Sequence, residues 1–226
     1  MGVIKYLWAD DSPDNPYAYL NTDIQLLYRV NQVSRDLNAA NYAKNTGYLV
    51  FWESPFYFVV LGHSCSIADD VWAKRCHSDA IPIVRRVSGG GTVLQGPGCL
   101  NYAIILPIAW HEKLGTISDT NRYIMTELAT AFQKYIPSIT VQGYTDLAIN
   151  AVKFSGNAQR RLANSLVFHG TLLYQFDCEK ISYYLKQPLR QPAYRKNRSH
   201  ATFVDNCGLS RDTLVQCLVS QWGAQD

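Results

Sequence analysis

The sequence predicts an α+β fold, a mixed sheet with helices on one side. Two observations carry that expectation. Short apolar runs are joined by short turns, and segments with helical periodicity lie between them. The chain has 226 residues, enough for one large domain whose core needs no staples. A net charge of +3 gives no excess to attract DNA or a membrane surface, and charged residues are only 17%. A 47% hydrophobic content with fifteen tyrosines excludes a disordered tail, a collagen and a coiled coil.

The first helix is expected over residues 22–37. Thr22 and Gln25 form a T-x-x-Q capping box, and Ile24, Leu27, Tyr28 and Leu37 fall near one face. Two apolar runs follow, 48–52 and 56–61, separated by Glu53, Ser54 and Pro55 as a turn between strands. Residues 67–77 read as a short helix, 81–86 as an apolar run entering a glycine cluster, and 102–108 as a strand. A helix over 118–136 is marked by Ile124, Leu128 and Phe132, spaced by four. Residues 146–154 and 165–176 read as strands, with a polar turn over 155–164. A helix over 177–185 precedes a basic, proline-containing segment, 186–200. Ser210 caps a last helix that turns Leu214, Cys217, Leu218 and Trp222 inward.

The six cysteines contain no C-x-x-C pair, so a zinc ribbon or thioredoxin-like site is not indicated. Asp10 and Asp11 follow the short apolar start, and no apolar run approaches the ~20 residues of a membrane span. A reducing, cytoplasmic setting with free thiols is expected.

The most informative stretch runs from Arg85 to Tyr102. Three glycines after a strand let the backbone approach a ligand closely, and their N–H groups can cradle a phosphate. Arg85 and Arg86 stand directly before them to neutralise an anion. No G-K-[ST] follows and G-x-G-x-x-G fails, so this is neither a Walker loop nor a dinucleotide fingerprint. By themselves the glycines fit a flexible hairpin equally well. A second constellation centres on Lys153, between Val152 and Phe154, where partial desolvation lets a compact cation fix a carboxylate or phosphate. A solvent-facing strand lysine is the plainer alternative, and His169 alone fits a structural hydrogen-bonding role.

Together these stretches resemble the lipoate–protein ligase family, within the biotin/lipoate ligase superfamily. The carriers are Arg85-Arg86-x-Ser88-Gly89-Gly90-Gly91-Thr92-Val93, then Gly98-x-Leu100-Asn101-Tyr102 and Asp146-Leu147. They continue with Lys153-Phe154-Ser155-Gly156-Asn157-Ala158-Gln159-Arg160-Arg161 and His169-Gly170-Thr171-Leu172-Leu173. The resemblance covers about residues 20–205, and implies a single catalytic domain over 1–226, with a mostly antiparallel sheet and no C-terminal accessory domain.

The resemblance further implies an enzyme that joins lipoate to ATP, giving lipoyl-adenylate and pyrophosphate. It then passes the lipoyl group to a lysine of a lipoyl domain or a glycine-cleavage H-like protein. By resemblance Lys153 is catalytic, touching the lipoate carboxyl and later the adenylate phosphate. Arg86, Ser88, Gly89, Gly90, Gly91 and Thr92 line the acyl and phosphate regions, and Val93 faces the acyl chain. Asn101 and Asp146 hold the nucleotide or its Mg2+. Ser155, Gly156 and Ala158 close over the adenylate, and His169, Gly170 and Thr171 complete the site. Mg2+ is expected with ATP, although the sequence itself shows no metal site. A monomer without nucleic-acid or membrane partners is expected, a separate accessory subunit being allowed.

Departures keep other readings open. Gln95-Gly96 stands where ligases often carry His-Asp, and Cys99 where many carry Asn. An octanoyl- or lipoyl-transferase using a Cys99 acyl-enzyme is the runner-up, although residues 143–146 lack the cysteine that related transferases place there. A non-catalytic lipoyl-domain-binding protein is the third reading. The basic run from Lys186 to Arg198 is either a docking surface or a solvated loop.

Overall fold

The computed structural model describes residues 2–9, 15–36 and 45–225. Its main sheet has seven strands: β1 (Val3–Trp8), β2 (Thr46–Trp52), β6 (Cys99–Pro107), β10 (Ser165–Leu173), β9 (Val152–Arg161), β8 (Asp146–Ile149) and β7 (Ile139–Gln142), in that spatial order. All neighbours pair antiparallel except β1 with β2. A smaller sheet places β3 (Phe58–Leu61) between β4 (Ile83–Arg85), parallel to it, and β5 (Val93–Gln95), antiparallel. The expected α+β class with a mostly antiparallel sheet is what the chain forms.

Cover lies on both faces of the main sheet, not on one side as expected. The reason is visible in β6, which is buried along its whole length and so presents apolar side chains both ways. Tyr102, Ile104 and Leu106 pack with Ile124, Leu128 and Phe132 of α4 (Ile117–Gln133) and Leu214 and Leu218 of α7 (Arg211–Trp222). The intervening Ala103 and Ile105 pack with Tyr19, Leu27 and Val30 of α1 (Pro16–Arg35), and with Phe58 and Val60 of β3.

Helix α1 starts six residues earlier than expected. Asn15 accepts a hydrogen bond from the Tyr17 N–H at 2.9 Å, and Pro16 stands at the first helical position. Thr22 is therefore interior and donates back to the Ala18 carbonyl, 3.3 Å away, as hydroxyls do inside helices. The buried stripe is Tyr19, Asp23, Leu27 and Val30, whereas Tyr28 is exposed and Leu37 lies outside the described residues. Two short helices, α5 (Glu179–Tyr184) and α6 (His200–Phe203), precede α7, which Ser210 caps as expected, accepting from Thr213 N–H at 3.1 Å.

Three other expectations change. Residues 67–77 form two short helices, α2 (Ile67–Asp70) and α3 (Ala73–Ser78). The runs flanking Glu53, Ser54 and Pro55 enter different sheets. The polar stretch read as a turn from 155 is strand as far as Arg161: Ser155 to Ala158 line a cavity, and Gln159 and Arg161 hydrogen-bond to the 114–121 segment. The expected turn shrinks to 162–164, closed by Leu162 N–H donating to the Ser165 carbonyl, and a second turn at Asn150 and Ala151, both with positive φ (50° and 64°), divides the expected strand over 146–154 into a hairpin.

Gly98 joins the layers. Its φ is +82°, and a Cβ there would lie 2.2 Å from the Gln175 carbonyl carbon. Gly98→Ala combines left-handed strain with a backbone clash and is expected to cost about 3 kcal/mol. Urea denaturation checks this, the midpoint falling at unchanged slope. All six cysteines are free thiols. No helix among the described residues is long and apolar enough to cross a membrane.

Candidate functional site

A cavity of about 510 Å³ opens where β8, β9 and β10 meet the glycine loop. It collects residues distant in sequence because strand registers place them side by side: Thr171 opposite Gly156, His169 opposite Ala158, and Gly156 opposite Asp146. Its wall contains Arg86, Gly90, Gly91, Thr92, Val93, Asn101, Asp146, Lys153, Ser155, Gly156, Ala158, His169, Gly170 and Thr171. Of the residues singled out in the sequence, two do not line it: Ser88 is fully buried behind the wall and Gly89 is exposed on the loop.

Lys153 leaves β9 beside a register shift between Leu147 and Ala148. Its ammonium sits 2.7 Å from Asp146 Oδ1, and both side chains are mostly buried. Asp146 Oδ2 accepts a hydrogen bond from Tyr194 at 2.8 Å. Burial, and then the Asp146 carboxylate, hold the Tyr194 hydroxyl protonated, above its ordinary range. Gly156 makes room for this arrangement, because a Cβ there would lie 2.7 Å from Lys153 Nζ.

Across the cavity, Arg86 organises the glycine loop. Its Nη2 donates to the carbonyls of Gly89 and Gly91 at 2.7 and 2.8 Å, and its Nε donates to Ser88 Oγ at 3.0 Å. Nη1 has no protein partner among the described residues and no carboxylate pairs with this guanidinium. Burial pushes its pKa down to about 10, so it remains charged at neutral pH. A desolvated cation on a cavity wall attracts an anionic ligand strongly. Arg85 instead turns away and braces the carbonyls of Gly62, His63 and Cys65.

The departures also have places. Gln95 and Asn101 exchange reciprocal amide hydrogen bonds at 2.8 and 2.9 Å, which commits much of the Asn101 amide to its neighbour. Cys99 is fully buried, donates to Gln95 Oε1 at 3.3 Å, and does not line the cavity. Burial first, then Glu53, hold its thiol well above the ordinary range.

Three of the five basic residues in the run are held by internal contacts, whereas Arg190 and Lys196 are exposed. Arg195 is buried, donates to Gln187 and the Arg198 carbonyl, and stacks on Phe203. Arg198 reaches the Ala151 and Tyr194 carbonyls. Lys186 donates to the Ala68 carbonyl at 2.6 Å. The segment is a strap that closes one side of the cavity, with Lys186, Arg190 and Arg195 on its wall.

Sequence reading missed Trp52, Asn157 and Asp23 as cavity residues, and Tyr194, which holds Asp146 without lining the cavity itself. A polar residue inside an apolar i, i+4 stripe, Tyr19-Asp23-Leu27, was the available signal for Asp23.

Residues 28–220 match the family described as the lipoyl protein ligase A/B catalytic domain. A probable lipoate-protein ligase A of Mycoplasma genitalium is 32% identical over 141 residues, covering 61% of this chain and 39% of that protein. A putative lipoate-protein ligase A of Schizosaccharomyces pombe is 27% identical over 178 residues, covering 76% and 45%. The chain thus spans less than half the length of either relative. Among solved structures, the bi-partite lipoate protein ligase of Thermoplasma acidophilum superposes with a TM-score of 0.72 at 18% identity, covering 98% of this chain and 82% of that one. A lipoate-protein ligase A bound with ATP gives 0.69 at 19%, covering 98% and 84%. These two likenesses establish the shared fold. With the family match extending from α1 to α7, the chain belongs to the lipoyl protein ligase A/B catalytic-domain family.

Proposed function

We propose that the protein is a lipoate–protein ligase that activates lipoate with Mg-ATP and transfers the lipoyl group to a lysine of a lipoyl domain or a glycine-cleavage H-like protein. The observation that carries this reading is the pair of cations, Lys153 and Arg86, on the wall of one cavity whose other lining includes the apolar Trp52, Val60 and Val93. In the first step a lipoate carboxylate oxygen attacks the α-phosphorus of ATP. The new C(O)O–P bond forms as the bond to the bridging oxygen breaks and pyrophosphate departs. Two anions must approach each other, and the fixed cations offset that repulsion. Lys153 stays beside the phosphate of the adenylate. In the second step the acceptor amine attacks the acyl carbon, AMP leaves, and the amine proton passes to solvent.

Mg2+ enters as the counter-ion of ATP, held mainly by phosphate oxygens. The carboxylates of Asp146 and Asp70 on the cavity wall fit a supporting part. The burial of Cys99 counts against the transferase reading, since a nucleophile needs a thiolate and access.

The test is exchange of labelled pyrophosphate into ATP with lipoate, octanoate or biotin present. Lipoate-dependent exchange is expected, and its absence from a folded sample overturns the ligase reading. In the same assay Cys99→Ser is expected to keep most of the activity. A dead Cys99→Ser together with an acyl-thioester adduct in the mass spectrum of the native chain establishes the transferase instead.

A further inference from the structure

One buried polar chain is not used by the steps above. Asp23, on α1, is 3% exposed. Its Oδ2 lies 3.2 Å from His169 Nδ1, and His169 Nε2 lies 2.7 Å from Ser88 Oγ. Ser88 Oγ accepts from Arg86 Nε at 3.0 Å. With Asp23 as a carboxylate and a single proton on the His169 ring, only one set of directions gives every pair a donor and an acceptor. Arg86 Nε–H donates to Ser88, the Ser88 hydroxyl donates to His169 Nε2, and His169 Nδ1–H donates to Asp23. Thus α1 reaches across β10 and ends on the guanidinium that shapes the glycine loop.

We propose that Asp23 and His169 are positioning residues which, through Ser88, fix the guanidinium of Arg86 for the substrate carboxylate. The inference rests on the ligase reading for the identity of that carboxylate.

Two features separate this from ordinary structural bonding. Asp23 Oδ1 is buried with no hydrogen-bond partner among the described residues. A carboxylate left half-satisfied beside Leu27 and Trp52 burdens the folded state. Such a group weakens the fold locally, so its use lies in what it orients. The series Asp-His-Ser also has the composition of a nucleophilic triad, but Ser88 is fully buried, stands behind the cavity wall and accepts from Arg86. Its hydroxyl is a link and not a nucleophile.

The choice of carboxylate over nucleotide follows from placement. Asp23 and His169 line the same side of the cavity as Leu20, Trp52, Val60 and Val93, which pack together in the α1-side core. That apolar wall suits the acyl chain, and Arg86 lines the same cavity.

The test is a double-mutant cycle with Asp23→Asn and His169→Gln, read by pyrophosphate exchange and thermal melting of the full chain. Asp23→Asn is expected to raise KM for lipoate about ten-fold, to leave KM for ATP within about two-fold, and to leave the melting midpoint unchanged or higher. The double variant is expected to be no worse than the poorer single variant, because the two residues act in series. An unchanged lipoate KM overturns the proposal. So do additive losses accompanied by a falling midpoint, which mark a merely structural role. Calorimetric titration with octanoate separates this from the ligase reading. If the wild type binds octanoate but shows no lipoate-dependent exchange, the ligase reading fails. A ten-fold weaker octanoate affinity in Asp23→Asn then still supports the positioning role, and an equal affinity refutes it. A wild type that neither binds nor exchanges removes both.

Discussion

Replacing Lys153 with alanine is expected to reduce adenylate formation by about 10³-fold or more while the protein stays folded. The size follows from position. Lys153 Nζ is a mostly buried cation, 2.7 Å from Asp146 and on the wall of the cavity that must bring a carboxylate to a triphosphate. Charge that moves during the reaction is stabilised most by a group already in place, since no solvent has to reorganise. Removing this mostly buried cation leaves Asp146 with Tyr194 as its remaining donor, at a cost of about 1–3 kcal/mol in stability. Activity and melting temperature should therefore separate in size: pyrophosphate exchange lost, the midpoint lowered by several degrees in a chain that still folds. Lys153→Arg should not restore exchange, because a planar fork replaces a compact ammonium above Gly156. Should Lys153→Ala keep a tenth or more of the wild-type rate, the lysine is not the stabilising cation.

Gly156→Ala is expected to have the second largest effect, a loss of about 10²-fold in exchange with stability unchanged or slightly improved. A Cβ at this position meets Lys153 Nζ at 2.7 Å and Cε at 2.9 Å. Those atoms are the far end of a flexible chain, so the fold accommodates the methyl by moving the ammonium. The lysine is then present but displaced from Asp146, and geometry rather than charge is what the variant removes. Comparing the two variants divides the contribution of the cation from that of its placement. If Gly156→Ala exchanges at the wild-type rate, the short lysine–aspartate contact is not the active arrangement.

What could be read in the sequence were the parts whose meaning is local. The run from Arg86 to Val93 and the stretch around Lys153 carry their own signals, three glycines after a strand and a lysine between apolar neighbours, and both reach the cavity. Tyr194 and Asp23 do not, because their partners are 48 and 146 residues away, and only folding brings them together. The mistaken turn from 155 has a similar cause. Alternation assumes one wet and one dry face, and β9 instead lays Ser155, Gly156, Asn157 and Ala158 along a cavity wall. Helices on both faces were hidden because periodicity within one strand does not say what covers it, although the unbroken apolar run in β6 was the clue.

The spatial order of the main sheet also governs how the protein comes to be folded. The hairpin of β8 and β9, closed by Asn150 and Ala151, pairs residues close in the chain, so Lys153 and Asp146 can meet early. The central pairings of β2 with β6 and β6 with β10 join segments tens of residues apart and must wait for large loops to close. β10 follows β9 through the short turn at 162–164, so the β7–β10 ribbon pairs locally and His169 joins Lys153 with it, but the β10 edge stays open until β6 docks. The step that shields that edge is the one that brings the glycine loop to Lys153, so the transition that ends this aggregation hazard is also the one that completes the site.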